Sequence, residues 1–147
     1  MRSVVFIMPA LLISLVSVAQ VSPYATKIIS YCPAPGQYIN DTVAGTPSAA
    51  LATTGEPSRL VSLGAFGGYI IYGFDHRVLN DPQNPYGIDF TVFGNASSTF
   101  SEPGIIYVMK DGNENGLPDD TWYEIAGSDH YLHQLNRDYQ VTYYNPG

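Results

Sequence analysis

Cysteine is nearly absent from this chain of 147 residues: Cys32 stands alone. One thiol cannot form an internal disulfide, so the staples that many small exported domains rely on are excluded. Such a domain must be held by core packing, by a metal ion, or by both. Basic residues are also few, with six Lys and Arg against thirteen Asp and Glu and a formal net charge of −7. They form no cluster. The electrostatic footprint of a nucleic-acid binder is therefore missing, as is the polybasic patch that grips an anionic membrane. Helical periodicity is the third absence. After residue 20 no window repeats apolar residues every 3.6 positions. No strand–helix–strand pattern argues for a parallel α/β sheet. There is no G-x-S-x-G nucleophile elbow.

The first nineteen residues read as a secretory signal peptide. Arg2 supplies the positive start, Val4 to Val16 an apolar run, and Ser17-Val18-Ala19 the small residues of a cleavage site. The run falls short of the roughly 20 residues of a membrane span. The expected mature domain runs from Gln20 to Gly147, with no membrane insertion after cleavage. Loss of Arg2 takes its charge to about −8. Acidity of this kind suits an outer-surface protein and a cation site. A lipid-anchored cysteine would follow directly on the apolar run. Gln20 to Tyr31 separate Cys32 from it, so its expected role is that of a small buried hydrophobe.

Twelve Tyr, six Phe, fourteen Gly and eleven Pro favour strands and turns. Strands are expected over Thr26 to Tyr31, Leu60 to Leu63, Tyr69 to Asp75, Ile88 to Phe93, Ile105 to Lys110, Trp122 to Ala126 and Tyr139 to Tyr144. Gln37 to Asp41 is expected to be extended. Val43 to Pro57, including the Ala pair of Pro47 to Leu51, reads as a surface loop. Short strands with a turn every eight to twelve residues indicate an all-β antiparallel sandwich or barrel. About seven strands are one short of a jelly roll. Because Asn145-Pro146-Gly147 follows straight after a strand, the expectation is an N-terminal part of a longer protein.

The most informative segment is Asp111-Gly112-Asn113-Glu114-Asn115-Gly116-Leu117-Pro118-Asp119. Oxygen side chains stand at loop positions 1, 3, 5 and 9, with Gly at 6, the D-x-[DN]-x-[DN]-G opening of a calcium loop. Calcium takes six to eight hard oxygen ligands, and alternate residues of a tightly curled loop turn their oxygens inward. Gly116 permits the sharp turn and leaves the carbonyl of Leu117 to ligate at position 7. Position 12 is Trp122, so the bidentate Glu of a helix–loop–helix site is missing. The flanks read as strands. The expected metal set is thus Asp111, Asn113, Asn115, Leu117 and Asp119, with Asp120 and Glu124 as spare carboxylates. An affinity on the order of 0.1–1 mM would fit an extracellular module and a structural role. The competing reading is an acidic β-turn with no ion. That turn would not require oxygens at four matched positions.

A resemblance can be stated on these residues. Leu63-Gly64-Ala65-Phe66-Gly67-Gly68-Tyr69-Ile70-Ile71-Tyr72-Gly73-Phe74-Asp75-His76 forms one block. Tyr86-Gly87-Ile88-Asp89-Phe90-Thr91-Val92-Phe93-Gly94-Asn95 forms a second, and Ser101-Glu102-Pro103-Gly104-Ile105 a third. The calcium-like loop follows, then Trp122-Tyr123-Glu124-Ile125-Ala126-Gly127-Ser128. In this order, after the opening Pro33-Ala34-Pro35-Gly36-Gln37, they resemble the secreted "cell surface proteins" of Bacteroidetes. The resemblance implies export, a jelly-roll-like sandwich similar to galactose-binding-type modules, and a place at the outer cell surface near systems for glycan or corrinoid uptake. Asp41-Thr42-Val43 also matches an O-glycosylation pattern of these bacteria.

Other constellations are weaker. His130 and His133 offer two imidazoles to zinc, but no third ligand has recognisable spacing. Asp75-His76 with Ser62 or Ser101 lacks the elbow of a hydrolase. Asp89 and Glu102 make a glycosidase pair only if the fold brings them together. Gly64, Gly67 and Gly68 allow bends or close backbone approach rather than a phosphate loop. Exposed Tyr and Trp are the usual stacking platform for sugars, though most Tyr simply suit sheets. The expectation is a non-enzymatic, calcium-stabilised surface module that binds a glycan, another small nutrient or a surface protein. A structural or adhesive domain is the alternative, and a secreted glycoside hydrolase comes last.

Overall fold

A computed structural model of the chain describes residues 21–132 and 135–146. The signal-peptide reading, His133 and the chain terminus at Gly147 lie outside the described residues. The regular structure is mainly β, in two small antiparallel sheets, with a few short helices.

The first sheet pairs β1 (Lys27–Cys32) with β2 (Tyr69–Gly73), in a register that runs from Lys27 opposite Gly73 to Cys32 opposite Tyr69. The register shifts between Ile28 and Ser30, which leaves Ile29 as an extra residue, a β-bulge. Gly73 is buried, and a Cβ there would meet the Lys27 side chain at 2.5 Å. The lysine stem lies where that side chain would go. Between the strands the chain folds α1 (Pro47–Leu51) onto β1. The expectation of a plain loop is corrected here. Thr46 is extended and its Oγ1 accepts the Ala49 N–H at 3.2 Å, while Pro47 opens the first turn. That is the N-cap and N1 chemistry of a helix start. Five residues cannot sustain a helix alone. Burial of Ala49 and Ala50 beneath it holds this one. The Thr53 hydroxyl then bonds the Ala50 carbonyl and the Tyr72 hydroxyl, both at 2.6 Å, which ties the helix end to β2.

The Pro33 to Gly36 turn packs on the glycine-rich turn before β2. Ala34 N–H donates to the Leu63 carbonyl at 3.0 Å, and Ala34 is buried. Gly64 has φ +75°, and a Cβ there would strike the Ala34 carbonyl of the facing turn, while one on Gly68 would strike the Leu63 carbonyl of its own turn and crowd the Ala34 nitrogen. These glycines serve close approach, as their setting suggested. Gln37 to Asp41 is not extended: Tyr38 and Asn40 have φ near +60° and +67°, and the segment turns back to Gly45. Cys32 is exposed rather than buried, at the open end of β1.

The second sheet is a ribbon of β3 (Tyr107–Met109) and β4 (Trp122–Glu124), with Met109 opposite Trp122. The Ile125 N–H extends the ladder to the Ile106 carbonyl at 2.8 Å. A 3-10 turn, Pro85–Gly87, precedes it and α2 (Ser128–Leu132) follows. Leu60 to Leu63, Ile88 to Phe93 and Tyr139 to Tyr144 form no strand. Alternation marks two faces, but a strand also needs a partner backbone, and none is aligned beside these segments among the described residues. The large apolar side chains of Ile88, Phe90, Val92 and Phe93 are accordingly exposed.

Candidate metal loop and neighbouring polar cluster

Residues 110–121 join the paired ends of β3 and β4, so the ribbon delivers both arms of the loop to one place. Asp111 organises it. Its Oδ1 accepts the Asn115 N–H at 3.1 Å, and its Oδ2 accepts the Gly116 N–H at 2.8 Å. Asn113 Oδ1 accepts the same Asn115 N–H at 3.0 Å, and Asn115 Oδ1 accepts the Leu117 N–H at 2.7 Å. The Asn115 amide donates to Asp119 Oδ2 at 3.0 Å. The left-handed backbone at Glu114 and Gly116, φ +58° and +74°, makes the curl. All five residues read from sequence thus belong to one hydrogen-bonded network, four through their side chains and Leu117 through its backbone N–H. A carboxylate or amide oxygen carries two lone pairs, so each oxygen that accepts one N–H keeps another for a cation.

The loop brings together the side chains of two carboxylates, Asp111 and Asp119, and two amides, Asn113 and Asn115; the Leu117 carbonyl is the fifth oxygen of the set expected from sequence. Hard neutral and anionic oxygens are calcium's preferred ligands. No group of three or more His, Cys, Asp or Glu side chains is placed to hold a metal among the described residues. A site here therefore depends on amide and carbonyl oxygens. Asp120 closes the base of the loop by accepting the Gly112 N–H at 3.0 Å, and Trp122 Nε1–H donates to the Pro118 carbonyl at 3.3 Å. Glu114 turns outward to Arg77 at 3.0 Å.

Glu124 is not a spare ligand. It accepts His130 Nε2–H at 2.6 Å, both Arg137 terminal nitrogens at 3.4 Å, and the Tyr107 hydroxyl at 3.3 Å. The Gly127 N–H donates to His130 Nδ1 at 3.0 Å, so Nδ1 must be the unprotonated nitrogen. The hydrogen bond from His130, with Arg137 and Tyr107 behind it, lowers the Glu124 pKa against an opposing effect of burial. Both ring nitrogens of His130 are engaged, which leaves it no lone pair for zinc. Sequence reasoning missed this cluster because its members come from β3, β4, α2 and the segment beyond.

The other candidate chemistry does not assemble. His76 Nδ1 lies 2.7 Å from Asp75, but the Ser62 hydroxyl bonds the Gln37 carbonyl and the Gly64 N–H instead. Asp89 accepts the Asn84 amide at 3.0 Å and has no hydrogen bond to Glu102. Aromatic surface does gather. Pro35, Tyr143, Tyr144, Asn145 and Pro146 line a shallow cleft. The Tyr143 hydroxyl donates to the Phe66 carbonyl at 2.8 Å, and the Phe66 and Tyr139 rings meet at 5.3 Å.

No family model matches this chain, and no curated protein matches it.

Proposed function

We propose that this chain is an exported module of the outer cell surface, a jelly-roll-like sandwich stabilised by one calcium ion, which binds a glycan or another small nutrient. The observation that carries the calcium reading is the convergence of Asp111, Asn113, Asn115 and Asp119 in one loop whose two ends are fixed by paired strands. Its role is structural: the ion joins the two arms of the loop and offsets the mutual repulsion of Asp111, Asp119 and Asp120. Calorimetric titration of the whole chain tests it. One site with a dissociation constant on the order of 0.1–1 mM is expected, and Asp111→Ala should abolish the heat. No heat at about ten times that concentration would overturn the reading.

The ligand reading rests on the cleft at Pro35 and Tyr143 to Pro146, where aromatic faces stand open beside an amide side chain. Pyranose rings stack on such faces. A glycan array probed in calcium should show hits that Tyr143→Ala and Tyr144→Ala reduce, and an empty array removes this version. A structural or adhesive role has its own support in the exposed apolar row from Ile88 to Phe93. Contiguous exposed apolar surface is the kind of face that meets another protein.

A further inference from the structure

Asn115 is followed by Gly116, a residue without a Cβ, so its backbone nitrogen can approach the preceding side-chain amide unhindered. Both residues are exposed, and nothing lies within 4 Å of the place a Gly116 Cβ would occupy. In the closed loop, however, the reacting atoms are held. Asp111 Oδ2 holds the Gly116 N–H at 2.8 Å, the Leu117 N–H holds Asn115 Oδ1 at 2.7 Å, and Asp119 Oδ2 holds Asn115 Nδ2 at 3.0 Å. All three bonds face solvent, so the loop can open locally without global unfolding.

We propose that Asn115 is a site of spontaneous deamidation, guarded by the closed loop and released when the loop opens. The calcium arm of this inference rests on the ion site proposed above. In the open loop the Gly116 N–H loses its proton to hydroxide, and the nitrogen's electron pair forms a bond to Asn115 Cγ. The Cγ–Nδ2 bond breaks, and the amide nitrogen leaves as ammonia after taking a proton from water. One water then opens the five-membered succinimide at either carbonyl, giving aspartate or isoaspartate at position 115. No electrons are exchanged, and water is the only co-reactant. Aspartate adds a carboxylate to the ligand set. Isoaspartate adds a backbone carbon between loop positions 5 and 6 and moves every later ligand. The loop is thus an irreversible chemical clock that rewrites its own ion site. Asn113 is the internal control, because Glu114 after it carries a side chain that hinders the same attack.

The test incubates the full chain in mildly alkaline buffer, with EDTA or with calcium, and follows residues 113 and 115 by peptide mass mapping. Conversion is expected at Asn115 in EDTA, roughly fivefold slower in calcium, and roughly fivefold faster in Asp111→Ala than in the parent, both in EDTA. A synthetic peptide spanning residues 111–120 sets the rate of the open loop, which the parent chain should not reach. Absence of conversion while the peptide reacts would overturn the proposal, as would Asn113 reacting as fast as Asn115. So would a parent rate equal to that of the peptide or of Asp111→Ala. If calcium binds by calorimetry yet leaves the rate unchanged, the guard by calcium is wrong and the ion site stands. If calcium does not bind, the ion site fails, and the comparison of parent, Asp111→Ala and peptide still decides whether the loop guards Asn115.

Discussion

The β1–β2 unit and the β3–β4 ribbon are both antiparallel pairs, yet they are held by opposite means. The first is covered. A capped helix lies on β1, two turns interlock through glycines, and Ala34, Ala49 and Ala50 are buried. The second has no apolar residue buried among the described residues; a polar loop closes one end and the Glu124 cluster the other. Apolar burial needs no ion and varies little with pH. A ribbon closed by carboxylates should respond to both.

The largest test of that contrast is calcium itself. At about one hundred times the dissociation constant, calcium should add about 2.7 kcal/mol, or about 10 °C in melting temperature. Trp122, the single tryptophan, stands at the loop's exit and should report the change by fluorescence. An unchanged melt in excess EDTA breaks the comparison. Ala50→Leu should cost about 1–3 kcal/mol by overpacking the helix–strand contact. It should leave the calcium titration of Trp122 unchanged, and a shifted titration would mean the two units are coupled. Thr46→Ala, which removes the α1 cap, should cost about 1 kcal/mol by thermal melting.

Acid gives a smaller effect. Glu124 has a lowered pKa in the fold, so its ionised form favours the folded state. That contribution is complete above the ordinary carboxylate value of 4.5 and is lost as pH falls from there through the lowered folded value. Glu124→Gln should flatten the acid limb of the Trp122 signal. A limb that keeps its shape would assign the acid response to other carboxylates. The smallest effect belongs to Arg77→Ala. The Arg77–Glu114 pair is largely exposed, and its removal should change the melting temperature by no more than about 2 °C, the equivalent of about 0.5 kcal/mol or less.

What could be read from sequence divides by how local its cause is. The loop from Asp111 to Asp119 was legible because its oxygens, its glycine and its curl are set within nine consecutive residues. The strand cores of β1, β2, β3 and β4 were legible through their apolar and aromatic runs. The α1 helix was not: five residues have no period to detect, and what fixes them is the surface of β1, 15 or more residues earlier in the chain. Ile88 to Phe93 alternates convincingly, but alternation says nothing about which backbone lies alongside. The Glu124 site draws on Tyr107, His130 and Arg137, none at a spacing that signals contact.

The exposed thiol at the end of β1 gives this chain a measuring point. Cys32 is unique and solvent-facing, and Trp122 is unique beside the loop. A maleimide-linked acceptor on Cys32 would pair with the indole as donor. Energy transfer between them would follow how the covered sheet moves against the ribbon as ion or acid is added, with no engineered residue in the chain.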